Sequence, residues 1–178
     1  ILIKGIMDNL DISPLGFLQW DDKIPPTLWS KRAEEIFGWT KEEATSEQIK
    51  WFTKVYEADL PWVSVMAAEL LGGRIQKNQV QHRNYTRDFI IIWCEWFNSV
   101  KWDGHGKVLS ILSLIQDVTD KKKAELELRS SENKYRLLFE ESPLPMLMLE
   151  DPSRKIIAVN KTTVQKFGYT KAEFENMK

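Results

Sequence analysis

The chain has 178 residues, 43% of them hydrophobic and 29% charged, with a formal net charge of −1. That is enough to bury a core of one or two domains. The near-neutral charge offers no electrostatic footprint for nucleic acid, and no basic amphipathic run offers a membrane contact. No apolar run approaches the roughly 20 residues that span a bilayer. The one cysteine, Cys94, excludes an internal disulfide framework and fits a reducing, cytoplasmic setting. The opening Ile-Leu-Ile-Lys is not shaped like a signal peptide and reads as the start of an excised internal segment.

Residues 1–12 form a weakly amphipathic cap helix, with Ile3, Ile6, Met7 and Leu10 at helical spacing, stopped by Ser13-Pro14. A strand over Leu15 to Trp20 turns at Asp21-Asp22-Lys23 and returns through Thr27 to Trp29, with Pro25 and Pro26 keeping that return near an edge. Ser30 caps a helix over Lys31 to Phe37, which Gly38 ends, and Thr40 to Glu43 reads as a capping box opening another short helix. A longer helix follows, with Asp59 as its cap, Pro61 in its first turn, and Trp62, Val65, Met66 and Leu70 on one face; Gly72-Gly73 closes it. Three strands come next, over about Gln79 to Arg87, Phe89 to Val100 and Lys107 to Asp117. In the middle strand Ile90, Ile92, Cys94 and Trp96 form one row, and Ile91, Trp93 and Phe97 most of the other. A sheet with one wet face alternates cleanly, so the outer face is expected to be covered by the N-terminal helix or by a second chain.

Residues 120–141 are helical in composition, with Lys121/Glu125, Glu125/Arg129 and Glu132/Arg136 at i,i+4. Ala124, Leu128, Ser131, Tyr135 and Leu138 follow a coiled-coil seam, and the same spacing also suits a solvated linker. Ser142-Pro143 ends the helix, and the chain then repeats itself. Ser13-Pro14-Leu15 recurs as Ser142-Pro143-Leu144, and Phe37-Gly38-Trp39-Thr40-Lys41-Glu42-Glu43 as Phe167-Gly168-Tyr169-Thr170-Lys171-Ala172-Glu173. Self-similarity over so long an offset indicates tandem domains rather than a solenoid, whose period is roughly 20–50 residues. Met146 to Leu149 and Ile156 to Asn160 are the second strand pair.

Three stretches together carry a resemblance: Ala33 to Glu43, Asn84 to Trp96, and Asp117-Val118-Thr119 running into Asp120-Lys121-Lys122-Lys123-Ala124-Glu125. In this order they resemble a PAS domain. The family departs at Phe89, where a turn glycine is usual, and at Ser30, where Asn is common; the second copy has Asn160. The resemblance implies an α+β fold, an antiparallel five-stranded sheet flanked by short helices and followed by a long linker helix. It divides the chain into a cap helix (1–12), a PAS domain (13–119), a signalling linker helix (120–141) and the start of an incomplete second PAS domain (142–178). It further implies a sensory, signal-relaying module of a bacterial multi-PAS protein, most often a histidine kinase and sometimes a diguanylate cyclase. Such a module is itself no enzyme, pairs as a homodimer, and acts on a downstream PAS or kinase domain of its own chain.

No catalytic or metal-binding set is expected. The Asn-Cys pair of flavin-binding relatives is missing, and the helix over residues 59–71 has no histidine for haem, so neither cofactor is expected. His82, at the start of a strand, and His105, between two glycines, are read as surface residues. A small-molecule pocket between helices and sheet would be lined by Phe37, Trp62, Met66, Asn84, Tyr85, Cys94 and Ser113, residues that equally suit a filled core. Asp117, Val118 and Thr119 form the expected joint of signal transmission, with Asp117 or Thr119 satisfying free N–H groups at the start of the linker helix. A ligand-free interaction or dimerisation module is the alternative.

Overall fold

The computed structural model describes residues 14–21, 26–46 and 51–177, so the N-terminal segment expected as a cap helix lies outside the described residues. The chain forms two compact units, Ile1–Asp120 and Lys121–Lys178. The first is an α+β unit on one antiparallel sheet. Its strands are β1 (Gly16–Trp20), β2 (Leu28–Trp29), β3 (Lys77–Tyr85), β4 (Ile91–Trp102) and β5 (Val108–Asp117), in the order β2-β1-β5-β4-β3. The helices α1 (Lys31–Phe37), α2 (Lys41–Ala44) and α3 (Leu60–Leu71) lie in the long connection from β2 to β3. That crossover carries the chain from one edge of the sheet to the other.

The sequence dictates these elements through local chemistry. The Ser30 hydroxyl accepts from the amide of Ala33 and so caps α1, and Gly38, at φ 77°, closes it in the left-handed region that glycine alone enters freely. Thr40 and Glu43 form the reciprocal capping box expected for α2. Gly16 lets α1 ride directly on β1, because a side chain there would press on Ile36 and on the backbone of Ala33 within 3.4 Å. The interior between α1, α2 and the sheet holds Leu18, Trp29, Ala33, Ile36, Phe37, Ala44, Ile92, Cys94 and Ile115. Phe37 lies between Trp29 and Trp96, with ring centroids 5.6 and 6.0 Å away.

Three sequence expectations are corrected. Asp59 makes no side-chain cap to α3; its carboxylate is taken up by Arg83 on β3 instead. Val65 does not share the buried face of α3 and is 54% exposed, because Val63, Met66, Ala67 and Leu70 form the inward stripe. The middle long strand begins at Ile91 rather than Phe89. Phe89 stands in the turn at φ 60° and Ile90 is exposed beside it. The turn is closed by Thr86, whose amide donates to Ile90 O and whose carbonyl accepts from Phe89 N.

The outer face of the sheet carries Phe17 on β1, Trp93 and Phe97 on β4, and Leu112 and Leu114 on β5, all half-buried. On β3 the same face turns polar, where Gln79 and Gln81 both donate to Glu95.

In the second unit, α4 (Thr119–Tyr135), which begins at the end of the first, runs into a π turn over Arg136–Glu140. A two-stranded sheet of β6 (Leu147–Leu149) and β7 (Ile156–Val159) follows, then α5 (Lys161–Phe167) and α6 (Lys171–Glu175). The sequence repeat is a structural one. Phe17 and Ser30 exchange two bonds at the helix entry, Ser30 N to Phe17 O and Phe17 N to Ser30 Oγ. Met146 and Asn160 exchange the corresponding pair. Gly168 repeats the left-handed cap of Gly38, and Thr170 with Glu173 repeats the capping box. Ala124, Leu128, Ser131, Tyr135 and Leu138 are all exposed within this chain. No helix among the described residues is long and apolar enough to cross a membrane.

Candidate functional site

A cavity of about 110 Å³ lies between α3 and the inner face of the sheet. Its helix wall is the stripe Trp62, Val63, Met66, Ala67 and Leu70. Its sheet wall follows from strand alternation: Asn78, Val80, His82 and Asn84 are every second residue of β3, and Trp96 and Asn98 stand on the same face of β4. Leu18, Trp20, Pro26 and Val55 complete the lining.

One ion pair sets the spacing of the two walls. Asp59 enters α3 one residue before its first turn, and its Oδ2 accepts from both the amide and Nε of Arg83, at 2.9 Å each. Its Oδ1 accepts from Nη2 at 2.6 Å. The Arg83 guanidinium holds the Asp59 carboxyl below the usual carboxylate range, against the opposing effect of burial. The guanidinium also lies over the rings of Tyr56 and Trp93, 4.0 and 5.3 Å from their centroids. Tyr56 N donates to Arg83 O, so the segment before α3 is stitched to the same strand.

His82 is neither on the surface nor at a strand start. It sits inside β3, is 5% exposed, and stacks on Trp96 at 5.2 Å with the edge of Trp62 at 5.9 Å. Burial pushes its imidazole pKa down, with a carbonyl contact to Arg83 and the Asp59 charge partly opposing. Sequence reasoning missed it because a lone histidine near the expected strand start reads as a surface residue. Here it stands on the inward face. Asn78 and Asn98, which also line the cavity, were missed as well.

The polar side chains of the wall are joined in order. Trp20 Nε1 donates to Ser113 Oγ at 2.9 Å, Ser113 Oγ donates to Asn98 Oδ1 at 2.5 Å, and Asn98 Nδ2 donates to Asn78 Oδ1 at 2.8 Å. Separately, Trp96 Nε1 donates to Asn84 Oδ1, and Asn84 Nδ2 to Lys54 O, both at 3.3 Å.

Of the residues expected to line a pocket, the structure brings Trp62, Met66 and Asn84 to the cavity. Ser113 lies one layer back, behind Asn98. Phe37 and Cys94 belong to the filled core under α1, where burial holds the Cys94 thiol well above its ordinary pKa. Tyr85 faces out and donates to Glu57. The aromatic and sulfur character that singled out these residues does not separate the filled end of the interior from the hollow one. Small Ala67 among the longer side chains of α3, and the amides of β3 facing it, are what mark the hollow end.

In the strand register level with His82, Asp117 pairs with Cys94, and the Asp117 Oδ1 accepts from the amide of Thr119 at 2.8 Å and from its hydroxyl at 2.5 Å. The Thr119 hydroxyl oxygen in turn accepts from Trp93 N at 2.9 Å, and Val118 N donates to Trp93 O at 2.8 Å. Asp117 thus satisfies a free N–H at the helix start, while Thr119 extends the pairing of β4 into α4.

A family model for the PAS fold matches residues 26–115, half of the chain. The chain belongs to the PAS family. A second family model, for the PAS domain, matches residues 133–178, the region of the internal repeat. No curated protein matches the chain. Among solved structures, a sensory box histidine kinase/response regulator from Burkholderia thailandensis is similar at 22% identity, over 76% of this chain and 98% of that one, with a TM-score of 0.57. A PAS domain from Colwellia psychrerythraea is similar at 19% identity, over 67% of this chain and 99% of that one, also at 0.57. The N-terminal domain of a diguanylate cyclase with a PAS/PAC sensor from Marinobacter aquaeolei is similar at 17% identity, over 61% and 98%, at 0.53. The likeness is one of fold.

Proposed function

We propose that this PAS unit is a sensory relay of a bacterial two-component protein, passing changes in its sheet through Asp117, Val118 and Thr119 into α4. The parent is then a cytoplasmic sensor histidine kinase, with a diguanylate cyclase as the other output. The chain works as a homodimer along the α4 seam and acts on a downstream PAS or kinase domain. The observation that carries this reading is the bond from Trp93 N to Thr119 Oγ1. Trp93 is bounded along β4 by Ile92 and Cys94 of the core, and Thr119 is the first residue of the helix. A shift of β4 therefore acts on the helix start directly.

Thr119→Ala tests it. Removing one acceptor from a partly buried N–H costs about 1 kcal/mol, which leaves the fold intact. Hydrogen exchange at the Trp93 amide and through the first turns of α4 should rise, and regulation of the parent's output should be lost. Unchanged exchange in α4, or collapse of the whole unit, sinks the relay.

A second reading, a ligand-free interaction module, is favoured by the half-buried apolar row Phe17, Phe97, Leu112 and Leu114 on the outer sheet face. Mass and absorbance spectra of natively purified protein separate the two, since a co-purified small molecule argues for a chemical sensor.

A further inference from the structure

The hydrogen-bonded chain behind the cavity has a direction. An indole N–H only donates, so Trp20 Nε1 occupies a lone pair on Ser113 Oγ. The single Ser113 proton then goes to Asn98 Oδ1. That bond fixes the Asn98 amide with its nitrogen toward Asn78 Oδ1. Every donor points the same way, and the last one, Asn78 Nδ2, is buried without a partner among the described residues. Buried amide donors are almost always satisfied, and this one belongs to a residue of the cavity wall. Two neighbouring donors are spent, Trp96 Nε1 on Asn84 and Asn84 Nδ2 on Lys54 O.

The rest of the lining narrows what can satisfy it. Among the described residues no Asp, Glu, Lys or Arg lines the cavity, and burial keeps the His82 pKa below its ordinary value, so at mildly alkaline pH an ionic ligand would enter without a countercharge. The space, about 110 Å³, is of the same order as the roughly 150 Å³ that holds one benzene ring in an engineered apolar cavity, so it admits no more than one small ring. The stacked rings of His82 and Trp96, with Trp62 edge-on, offer flat apolar faces.

We propose that the cavity binds a small uncharged ring compound bearing one hydrogen-bond acceptor, a heteroaromatic or cyclic carbonyl of about six heavy atoms, held by Asn78 Nδ2. The ring packs against Met66, Leu70 and Trp96, and the Asn78 amide turns into the cavity to meet the acceptor. This deepens the sensory reading above by naming the chemistry of the input, and it is tested independently of the relay.

The test uses the isotopically labelled 178-residue chain with three probes: pyridine, benzene and benzoate, at mildly alkaline pH where pyridine is uncharged. Pyridine should shift the side-chain signals of Asn78 and the Trp96 indole saturably. Benzene, of the same shape without the acceptor, should bind about tenfold or more weakly, and benzoate should not bind. Asn78→Ala should bring pyridine and benzene to equal affinity, and Ala67→Leu, which fills the cavity from α3 without touching the amides, should remove both. Equal affinities in the unaltered chain overturn the role of Asn78. Absence of saturable shifts with every probe, or shifts that survive Ala67→Leu, overturns the site. Either failure leaves the relay to stand or fall on Thr119→Ala, while loss of the relay with pyridine still bound leaves this site in place.

Discussion

Asp59→Ala separates the two walls of the cavity, and its cost can be worked from the geometry. The substitution removes two charge-assisted bonds to the guanidinium and the acceptor of the Arg83 amide. Asp59 is 7% exposed and the Arg83 side chain 29%. Breaking a fully buried pair costs about 3–5 kcal/mol, and solvent reaching the guanidinium, which keeps its stacking on Tyr56, brings the expectation to about 3 kcal/mol. All eight tryptophans lie at or before Trp102, so indole fluorescence during a urea titration follows the first unit alone. With a urea slope of about 1.5 kcal/mol per molar, the midpoint should fall by about 2 M. In an Arg83→Met background the same change should cost at least about 1.5 kcal/mol less, because the two residues act as one unit. The pH dependence has a definite sign. The Asp59 carboxyl titrates below its ordinary 3.8 in the fold, so its contribution is present above that pH and is lost as the pH falls through the lowered value. A loss under about 0.5 kcal/mol, or additive effects of the two substitutions, would refute the clamp.

Acidification should act on His82 in a higher window. Its pKa is depressed below 6.5 in the fold, so the unfolded chain takes up the proton first and stability declines as the pH falls below 6.5; His82→Phe should flatten that part of the stability–pH curve. Phe89→Gly should raise the urea midpoint by an amount worth about 0.5 kcal/mol, since relief of the φ 60° strain outweighs the entropy glycine adds to the unfolded chain and the loss of a ring that is 76% exposed. A lowered midpoint would show that the ring packs more firmly than its exposure implies. Asn160→Ala strips five hydrogen bonds from one buried side chain and should cost the second unit about 3 kcal/mol or more. Amide exchange in β6, β7 and α5 should rise while the indole fluorescence transition stays put.

What the sequence made legible were the features written in one or two neighbouring residues. Ser30, Gly38 and Thr40 with Glu43 fix caps by local backbone chemistry, and the recurrence of Gly38, Thr40 and Glu43 as Gly168, Thr170 and Glu173 helped expose the internal repeat. The strands were legible to within about two residues, and β4 was started early because Phe89 and Ile90 extend an apolar run through a turn that glycine would have marked. Asp59 carried a capping signal that a long-range partner overrode, because Arg83 offers three donors where the helix start offers one. The cavity was only partly legible for a physical reason. A hollow depends on volume left unfilled among side chains distant in sequence, and neither Ala67 nor the amides of Asn78 and Asn98 declare that on their own.

The two units build the same junction from different atoms, and the difference has a mechanical meaning. At Ser30 a hydroxyl accepts from the strand and from the helix. At Asn160 the carbonyl oxygen does the same, and the amide nitrogen adds bonds to Phe139 O, in the π turn, and to Leu144 O. One side chain therefore grips the departing end of the linker helix, the entering strand and the next helix together. Thr162 and Thr163 add bonds to Ser142 O and Met146 O, and Lys171 pairs with Glu140, so the short loop over 141–146 is pinned at both ends and in its middle, and Asn160 is, among the described residues, the one side chain that meets all three parts at once.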